Sequence, residues 1–130
     1  MPHFVVHEHH ATHLHWDFRL EVGGVLKSWA IPKGPSMNPS DKRLAILVED
    51  HPLEYGSFEG VIPEGMYGAG QVLIWDEGYY DPIDDIEEGI KKGSFSFRLH
   101  GEKLKGEFAL FRLKKSTTGK DWLIVKKKEL

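Results

Sequence analysis

The sequence predicts an all-β, mainly antiparallel domain, most economically a compact closed β-barrel of about seven or eight strands with long loops and one short helix. Two observations predict this fold class. Apolar and polar residues alternate in several short runs, and clusters of Gly, Pro, Asn or Asp separate those runs. A closed barrel leaves no strand edge unpaired, whereas an open sheet exposes two such edges.

The clearest strand is Leu14–Val22, in which every even position is apolar and every odd position is polar. Gly23 and Gly24 follow it and predict a two-residue hairpin that leads into a strand at Val25–Ile31. The remaining strands are expected at residues 43–49, 71–75, 94–99, 106–113 and 122–126.

One short helix is expected at residues 81–92, with Pro82 in its first turn, carboxylates near its start and Gly93 as its stop. Segments 32–39 and 59–70 are rich in Gly and Pro and predict the long loops, where a substrate would be bound. We find no internal repeat and no long linker, so residues 1–130 are expected to form a single domain.

The composition limits the class of protein. The 130 residues include no Cys, so any metal must be bound by His, Asp, Glu or backbone oxygen. No apolar run approaches the roughly 18 residues of a membrane span, and the N-terminal residues do not resemble a secretory signal. We therefore expect a soluble, cytoplasmic and monomeric protein without membrane association.

The charges are unevenly distributed along the chain. The net charge of −3 argues against a protein that coats duplex DNA by bulk electrostatics. Residues 49–88 include 12 Asp or Glu and no Lys or Arg, whereas residues 91–130 include 12 Lys or Arg and 4 Asp or Glu. The basic end is either a contact surface for a polyanion or a solvated face that balances the acidic segment.

Six of the eight histidines lie within residues 3–15, interleaved with Val, Glu, Ala, Thr and Leu, unlike a purification tag. His7 and His9 share one face of a first predicted strand, while His15 and Asp17 share one face of the next. Two imidazoles and one carboxylate on adjacent strands indicate a three-ligand metal site with open positions for water or a phosphate oxygen. Such ligands suit manganese, iron or zinc, and scattered surface histidines are the alternative interpretation.

Three further residues carry candidate chemistry. Arg19 points to the same side as Asp17 and would bind a phosphate through two parallel hydrogen bonds, or would only pair with Asp17 or Glu21. His51 precedes a proline at a strand end, where it would serve as a general acid, a phosphate ligand or a structural histidine. Tyr55 offers a hydroxyl donor to the same oxygens, or is a packed aromatic.

Several ungapped motifs then occur in a fixed order. They are HWDFRLE at 15–21, six residues after His9, LKSWAIPKGP at 26–35, DKRLA at 41–45, VEDHPLEY at 48–55, FEGVIPEGMYGAG at 58–70 and GEKLKG at 101–106. Together they resemble the 3′-phosphoesterase domain of bacterial and archaeal DNA ligase D, over nearly the whole chain. Several motifs in one order are far more specific than any single motif.

The resemblance implies a β-barrel with a manganese-dependent site, for which zinc and cobalt are the other divalent candidates. It implies removal of a 3′-terminal ribonucleoside from a DNA primer, followed by removal of the 3′-phosphate left behind. The implied metal ligands are His9, His15 and Asp17. The implied phosphate-binding residues are Arg19, His51 and Tyr55, with Lys33 and Arg43 at basic positions that support activity in the family.

The resemblance also implies partners, namely the 3′ ends of DNA or RNA-ended primer-templates and a separate DNA ligase or polymerase of end joining. The ligase-linked family members have a longer N-terminal arm that contributes to removal of the terminal phosphate, whereas this chain starts close to its first predicted strand. We therefore expect the phosphodiesterase step and leave open the phosphomonoesterase step, together with whether the chain is a free-standing enzyme or an excised domain.

Two other classes of protein compete with this interpretation. A cupin-like metal oxygenase would use His7 and His9 as a His-x-His pair, but Gly68 stands where its later histidine is expected. A non-catalytic barrel that binds single-stranded nucleic acid would use surface aromatics and the basic C-terminal segment, yet it has no need for clustered His, Asp and Arg. An assay of metal-dependent cleavage separates the binding barrel from the enzyme.

Overall fold

The computed structural model describes residues 1–129, which contain nine β-strands, one α-helix and one 3-10 helix. The strands are β1 (His3–His10), β2 (Leu14–Val22), β3 (Val25–Ile31), β4 (Arg43–Pro52), β5 (Gly60–Ile62), β6 (Gly70–Pro82), β7 (Ser94–His100), β8 (Lys105–Arg112) and β9 (Asp121–Lys126). The helices are the 3-10 helix Leu53–Ser57 and α1 (Ile86–Lys92).

The strands form one sheet in the order β1-β2-β3-β4-β9-β8-β7-β6-β5. Within residues 1–129 all the pairings are antiparallel, and a further pairing of β6 with β1 closes eight strands into a barrel. The short strand β5 is an addition beside the start of β6. The prediction of an all-β, antiparallel closed barrel with one short α-helix is confirmed.

The barrel interior is filled by side chains from alternate strand positions. In β2, Phe18 and Leu20 are fully buried in this core, on the face that the alternation predicts. Trp29 and Trp122 meet edge to face inside the barrel, with their ring centroids 5.8 Å apart. Truncation of one such side chain to Ala typically costs about 3–5 kcal/mol, so these positions contribute strongly to the stability of the fold.

The β2–β3 connection is the two-residue turn that the glycine pair predicts. Gly23 and Gly24 have φ angles of 59° and 85°, which side chains other than glycine adopt at a cost. The turn sets the register, in which Val22 pairs with Val25 and the pairing continues without a shift to Trp16 and Ile31. Strand β3 therefore pairs with β2 along nearly its whole length.

The predicted helix at residues 81–92 is wrong at its N-terminal end. The helix α1 begins only at Ile86, because Pro82 is still the last residue of β6 and pairs with β7. Asp85 caps the helix by accepting a backbone N–H at 3.0 Å, and Gly93 ends it with a φ of 91°. Within residues 1–129, neither helix has the length and apolar character of a membrane span.

Strand β6 differs most from its predicted extent. It runs for 13 residues, where the sequence indicates only 71–75. Its length follows from its neighbours, since residues 71–79 pair with β1 while the first residues pair with β5 and the last with β7. The loop predicted at 59–70 is therefore interrupted by β5. This strand has only three residues, which is too short for an alternating pattern to show in the sequence.

Candidate active site

Five polar side chains of β1 and β2 lie on the outer face of the barrel, opposite the core, namely His7, His9, His15, Asp17 and Arg19. The two strands pair in a register that sets His9 opposite His15 and His7 opposite Asp17. On β2, Arg19 shares the face of Asp17 because it follows by two positions. Asp17 and Arg19 alternate with the core residues Phe18 and Leu20, so the pairing that forms the barrel wall also assembles the site.

Three of these side chains form a group that could hold a metal ion. The potential ligand atoms of His9, His15 and Asp17 all lie within 4.8 Å of one another. Oδ2 of Asp17 lies 3.4 Å from Nδ1 of His9 and 3.3 Å from Nε2 of His15. His9 and Asp17 are buried and His15 is partly exposed, so the group is shielded on one side and open on the other.

The second ring nitrogen of His9 and of His15 is hydrogen-bonded to a backbone carbonyl. Nε2 of His9 donates to the carbonyl of Gly68 at 2.7 Å, and Nδ1 of His15 donates to the carbonyl of His13 at 3.0 Å. Because a carbonyl only accepts, each neutral ring carries its proton there and turns its lone pair toward Asp17. Two nitrogen lone pairs and one carboxylate oxygen fit a divalent cation such as manganese or zinc.

The same contacts set the charge of the group. Burial alone would raise the pKa of Asp17, but the hydrogen bond that it accepts from the protonated form of His15 and the charge of Arg19 outweigh burial and lower it. In return, the hydrogen bond and charge of Asp17 raise the pKa of His15. Asp17 is therefore ionised at neutral pH and supplies negative charge to a bound cation.

Arg19 is only 2% exposed, and all three of its guanidinium nitrogens have partners. Its Nε donates to Nδ1 of His7 at 3.0 Å, and its Nη2 donates to Oδ2 of Asp17 at 3.2 Å. Its Nη1 donates to Oγ of Ser28 at 2.9 Å, and the ring of Tyr55 lies 5.0 Å from Cζ. These contacts fix the guanidinium at the wall of the site cavity, where it is oriented before an anion arrives.

The phosphoesterase interpretation of the sequence gave no role to His7, which the structure buries completely beside Arg19. Its Nδ1 accepts from Arg19, and its Nε2 donates to the carbonyl of Phe58 at 3.1 Å. Burial and the charge of Arg19 lower the pKa of His7 to about 4, so the ring is neutral at pH 7. Both nitrogens are engaged, which argues against a cupin-like His7-x-His9 metal pair. The one feature of the sequence that could have indicated the contact of His7 with Arg19 is that His7 shares a strand face with His9.

His51 reaches the site through a β-bulge in β4. Leu26 pairs with His51 and Ser28 pairs with Val48, so two β4 residues oppose the one β3 residue between these pairs. Leu26 and Ser28 share a face of β3, and their partners therefore share a face of β4. Without the bulge, Val48 and His51 would point to opposite faces because they are three positions apart.

His51 and Tyr55 form an aromatic pair beside Arg19, with ring centroids 4.7 Å apart. Nδ1 of His51 lies 3.2 Å from Nη1 of Arg19 and 3.1 Å from the carbonyl of Glu49, so it accepts from the arginine or donates to the carbonyl. Burial and the charge of Arg19 lower the pKa of His51, which keeps the ring neutral. Burial raises the pKa of Tyr55, whose hydroxyl therefore remains a donor.

The six predicted residues on β1, β2, β4 and the 3-10 helix line one cavity of about 320 Å³. They are His9, His15, Asp17, Arg19, His51 and Tyr55. Lys33 and Arg43 are not among the residues of 1–129 that line it. Lys33 is exposed in the loop after β3, and Nη2 of Arg43 lies 3.5 Å from Oδ2 of Asp41 in the same loop.

This small antiparallel barrel carries two histidines and an aspartate beside a buried arginine. These features are typical of a metal centre that acts on anionic substrates. The sequence of residues 7–112 matches the family described as the DNA ligase D 3′-phosphoesterase domain, and the chain belongs to this family. The resemblance found in the motifs is therefore confirmed.

Curated relatives of this chain are much longer proteins. The multifunctional non-homologous end joining protein LigD of Pseudomonas aeruginosa is 53% identical over 126 residues, which is 97% of this chain. The multifunctional non-homologous end joining DNA repair protein LigD of Mycobacterium tuberculosis is 51% identical over 120 residues, or 92% of this chain. The chain spans only 15% of the length of each of these two relatives.

Proposed function

We propose that this protein is a metal-dependent phosphoesterase that processes 3′ ends in DNA repair. It removes a 3′-terminal ribonucleoside from a primer strand as a phosphodiesterase, and the assay described below decides whether it also removes the remaining 3′-phosphate as a phosphomonoesterase. The observation that carries the proposal is the His9, His15 and Asp17 group directly beside the buried Arg19. Membership of the 3′-phosphoesterase domain family supports the reaction class, and the names of the relatives support a role in end joining.

Asp17 connects the residues that would hold the metal to the arginine that would bind the phosphate. Asp17 contacts the two histidines through Oδ2 and pairs with Arg19 through the same oxygen. A divalent cation held by His9, His15 and Asp17, manganese by family resemblance, would supply a Lewis acid that offsets charge on the phosphoryl oxygens. Because Asp17 joins the two groups, a phosphate oriented by Arg19 lies next to the metal ligands.

The remaining site residues act on the same phosphoryl group. Arg19 donates to its non-bridging oxygens from a buried position, where a charge-assisted hydrogen bond is strong. The neutral ring of His51 hydrogen-bonds to the phosphate or protonates the leaving oxygen, according to the tautomer that its Nδ1 contact selects. The Tyr55 hydroxyl donates a further hydrogen bond.

Lys33 and Arg43 lie apart from this cavity and carry positive charge on the loop after β3 and at the start of β4. We propose that they contact the strand backbone away from the scissile phosphate.

We further propose that residues 1–130 form one 3′-phosphoesterase domain, which acts as a monomer. The substrate is a primer-template 3′ end in the cytoplasm, and a separate DNA ligase or polymerase of the end-joining pathway uses the product.

A cleavage assay tests the proposal. The metal-stripped protein is incubated with an end-labelled primer-template that ends in one 3′ ribonucleotide, with and without manganese, zinc, cobalt or magnesium. We expect manganese-dependent shortening to a 3′-phosphate. Further conversion to a 3′-hydroxyl would establish the phosphomonoesterase step as well, and arrest at the phosphate would restrict the activity to the phosphodiesterase step. The Asp17→Asn variant, which keeps size and removes charge, should be inactive. No cleavage with any metal, together with retained strand binding, would favour the binding barrel.

A further inference from the structure

One wall of the site cavity carries an aromatic side chain that the proposed chemistry does not use. Tyr67, in the loop between β5 and β6, lines the same cavity as His9 and Asp17, yet it is 87% exposed. Among the exposed large hydrophobic side chains of residues 1–129, it has the largest exposed fraction and is the one aromatic. Such a ring has a free face for a planar ligand at the mouth of a polar site.

The backbone around Tyr67 is tied to the metal-ligand group. The carbonyl of the next residue, Gly68, accepts the hydrogen bond from Nε2 of His9 at 2.7 Å. The backbone N–H of Ala69 donates to the carbonyl of Met66 at 3.1 Å, which closes a turn around Tyr67. The backbone on either side of Tyr67 is therefore tied to the residues that would hold the metal.

Charge does not explain how a nucleic acid end would be held on this side of the cavity. Glu49 lines the cavity, and Glu64 lies in the same loop as Tyr67. This region repels a polyanionic strand. An uncharged contact, such as stacking of a base on an aromatic ring, is the attraction that remains.

We propose that Tyr67 forms a nucleobase subsite, in which its ring stacks on the base of the terminal nucleoside while Arg19 holds the adjoining phosphate. The inference rests on the proposed function and adds that the site recognises a nucleoside together with its phosphate. Every base presents a π-face, so the subsite accepts any of them. Its ligand is the terminal nucleobase of a DNA or RNA-ended strand.

A binding measurement without metal tests the subsite independently of cleavage. Fluorescence anisotropy gives the Kd for two labelled primer-templates, one with an ordinary 3′-terminal nucleotide and one whose terminal residue is abasic. We expect the wild-type protein to bind the base-bearing end about tenfold more tightly than the abasic end. Tyr67→Ala should bind both ends with equal, weak affinity.

Two matched variants complete the comparison. Tyr67→Phe keeps the ring and should keep the preference for the base-bearing end. Met66→Ala removes the neighbouring side chain, which is 61% exposed and does not line the cavity, and should also behave as wild type. Equal preference in the wild type and Tyr67→Ala, or no preference in the wild type, would overturn the subsite. A Tyr67-dependent preference in a protein that cleaves nothing would reject the proposed reaction and retain the subsite.

Discussion

Arg19 combines charge, burial and directed hydrogen bonds in one side chain. Its partners are acceptors on three different residues, His7, Asp17 and Ser28, so its orientation depends on the planar shape of the guanidinium. An ammonium group in its place keeps the charge and loses that geometry.

The Arg19→Lys variant should therefore lose activity despite its conserved charge. We expect kcat/KM for primer cleavage to fall by about 100-fold, the size of effect seen when one preorganised donor to a reacting oxygen is lost. The free energy of unfolding in urea should fall by about 1–3 kcal/mol, because buried acceptors lose their donors. Arg98→Lys, at an arginine whose side chain is 41% exposed, is the control. Wild-type turnover in Arg19→Lys would exclude the bidentate role.

The three ligand candidates lead to a second prediction. His9→Ala, His15→Ala and Asp17→Ala should each abolish cleavage and weaken manganese binding measured by calorimetry, while circular dichroism remains that of the wild type. His13→Ala is the control, because His13 contributes its backbone carbonyl to His15 while its own side chain is exposed. A variant that still binds manganese and cleaves would remove its residue from the metal site.

The sequence predicted the strand faces on which most of the candidate site residues lie, but it did not predict their hydrogen bonds to other parts of the chain. Alternation along β2 places His15, Asp17 and Arg19 on one face, and β1 adds His9. The carbonyl partners of the histidines come from loops, whose conformations leave no periodic signal in a sequence. The engagement of His7 by Arg19 depends on the register between β1 and β2, which alternation within each strand does not specify.

At the scale of elements, the bulge in β4 decides which face presents His51. Deletion of Asp50 should regularise the strand and leave His51 two positions after Val48, on the same face and still opposite Leu26, so that cleavage stays well above the level of His51→Ala. Asp50→Ser is the matched control, since it retains the bulge and removes only an exposed ion pair with Lys27. Loss of cleavage to the level of His51→Ala in the deletion variant would show that the strand face alone does not position His51.

The elements that the sequence mispredicts are those shaped by their neighbours. Pro82 carries a helix-start signal, but the pairing of β6 with β7 keeps it in the strand and delays α1 to Ile86. The short strand β5 exists because the start of β6 offers it a partner. By contrast, the β2–β3 hairpin was predicted correctly because its glycine pair determines the turn locally.

At the scale of the whole molecule, Asp76 ties one end of the barrel together. It is 4% exposed, and its carboxylate accepts backbone N–H groups from four residues. These donors are Glu77 at 2.9 Å, Glu102 at 2.8 Å, Lys103 at 3.2 Å and Leu104 at 2.8 Å. The carboxylate thereby joins β6 to the loop between β7 and β8.

Asp76→Ala should destabilise the barrel by roughly 2–4 kcal/mol, because it leaves several buried donors unsatisfied. We expect a lower urea midpoint with an unchanged slope. Asp81→Ala, at an aspartate whose side chain is 55% exposed, should leave the midpoint close to that of wild type. An unchanged midpoint in Asp76→Ala would mean that the loop finds other partners.

Tyr80 makes the free energy of unfolding depend on pH in the alkaline range. Its hydroxyl donates to the carbonyl of Glu21 at 2.7 Å, and burial, with the charge of Glu21, raises the pKa of Tyr80 from 10.0 to about 12. A pKa raised by folding stabilises the protein fully below pH 10.0, and this contribution is lost as the pH rises toward 12. Urea unfolding between pH 8 and 11.5 should show this loss in the wild type and a smaller loss in Tyr80→Phe.

The two faces of β2 give neighbouring codons different evolutionary constraints. Phe18 and Leu20 face the core, while Asp17 and Arg19 face the cavity. We expect substitutions at the first pair to lower the amount of folded protein first, and substitutions at the second pair to lower turnover first. A substitution rate averaged over the strand would therefore mix two separate constraints.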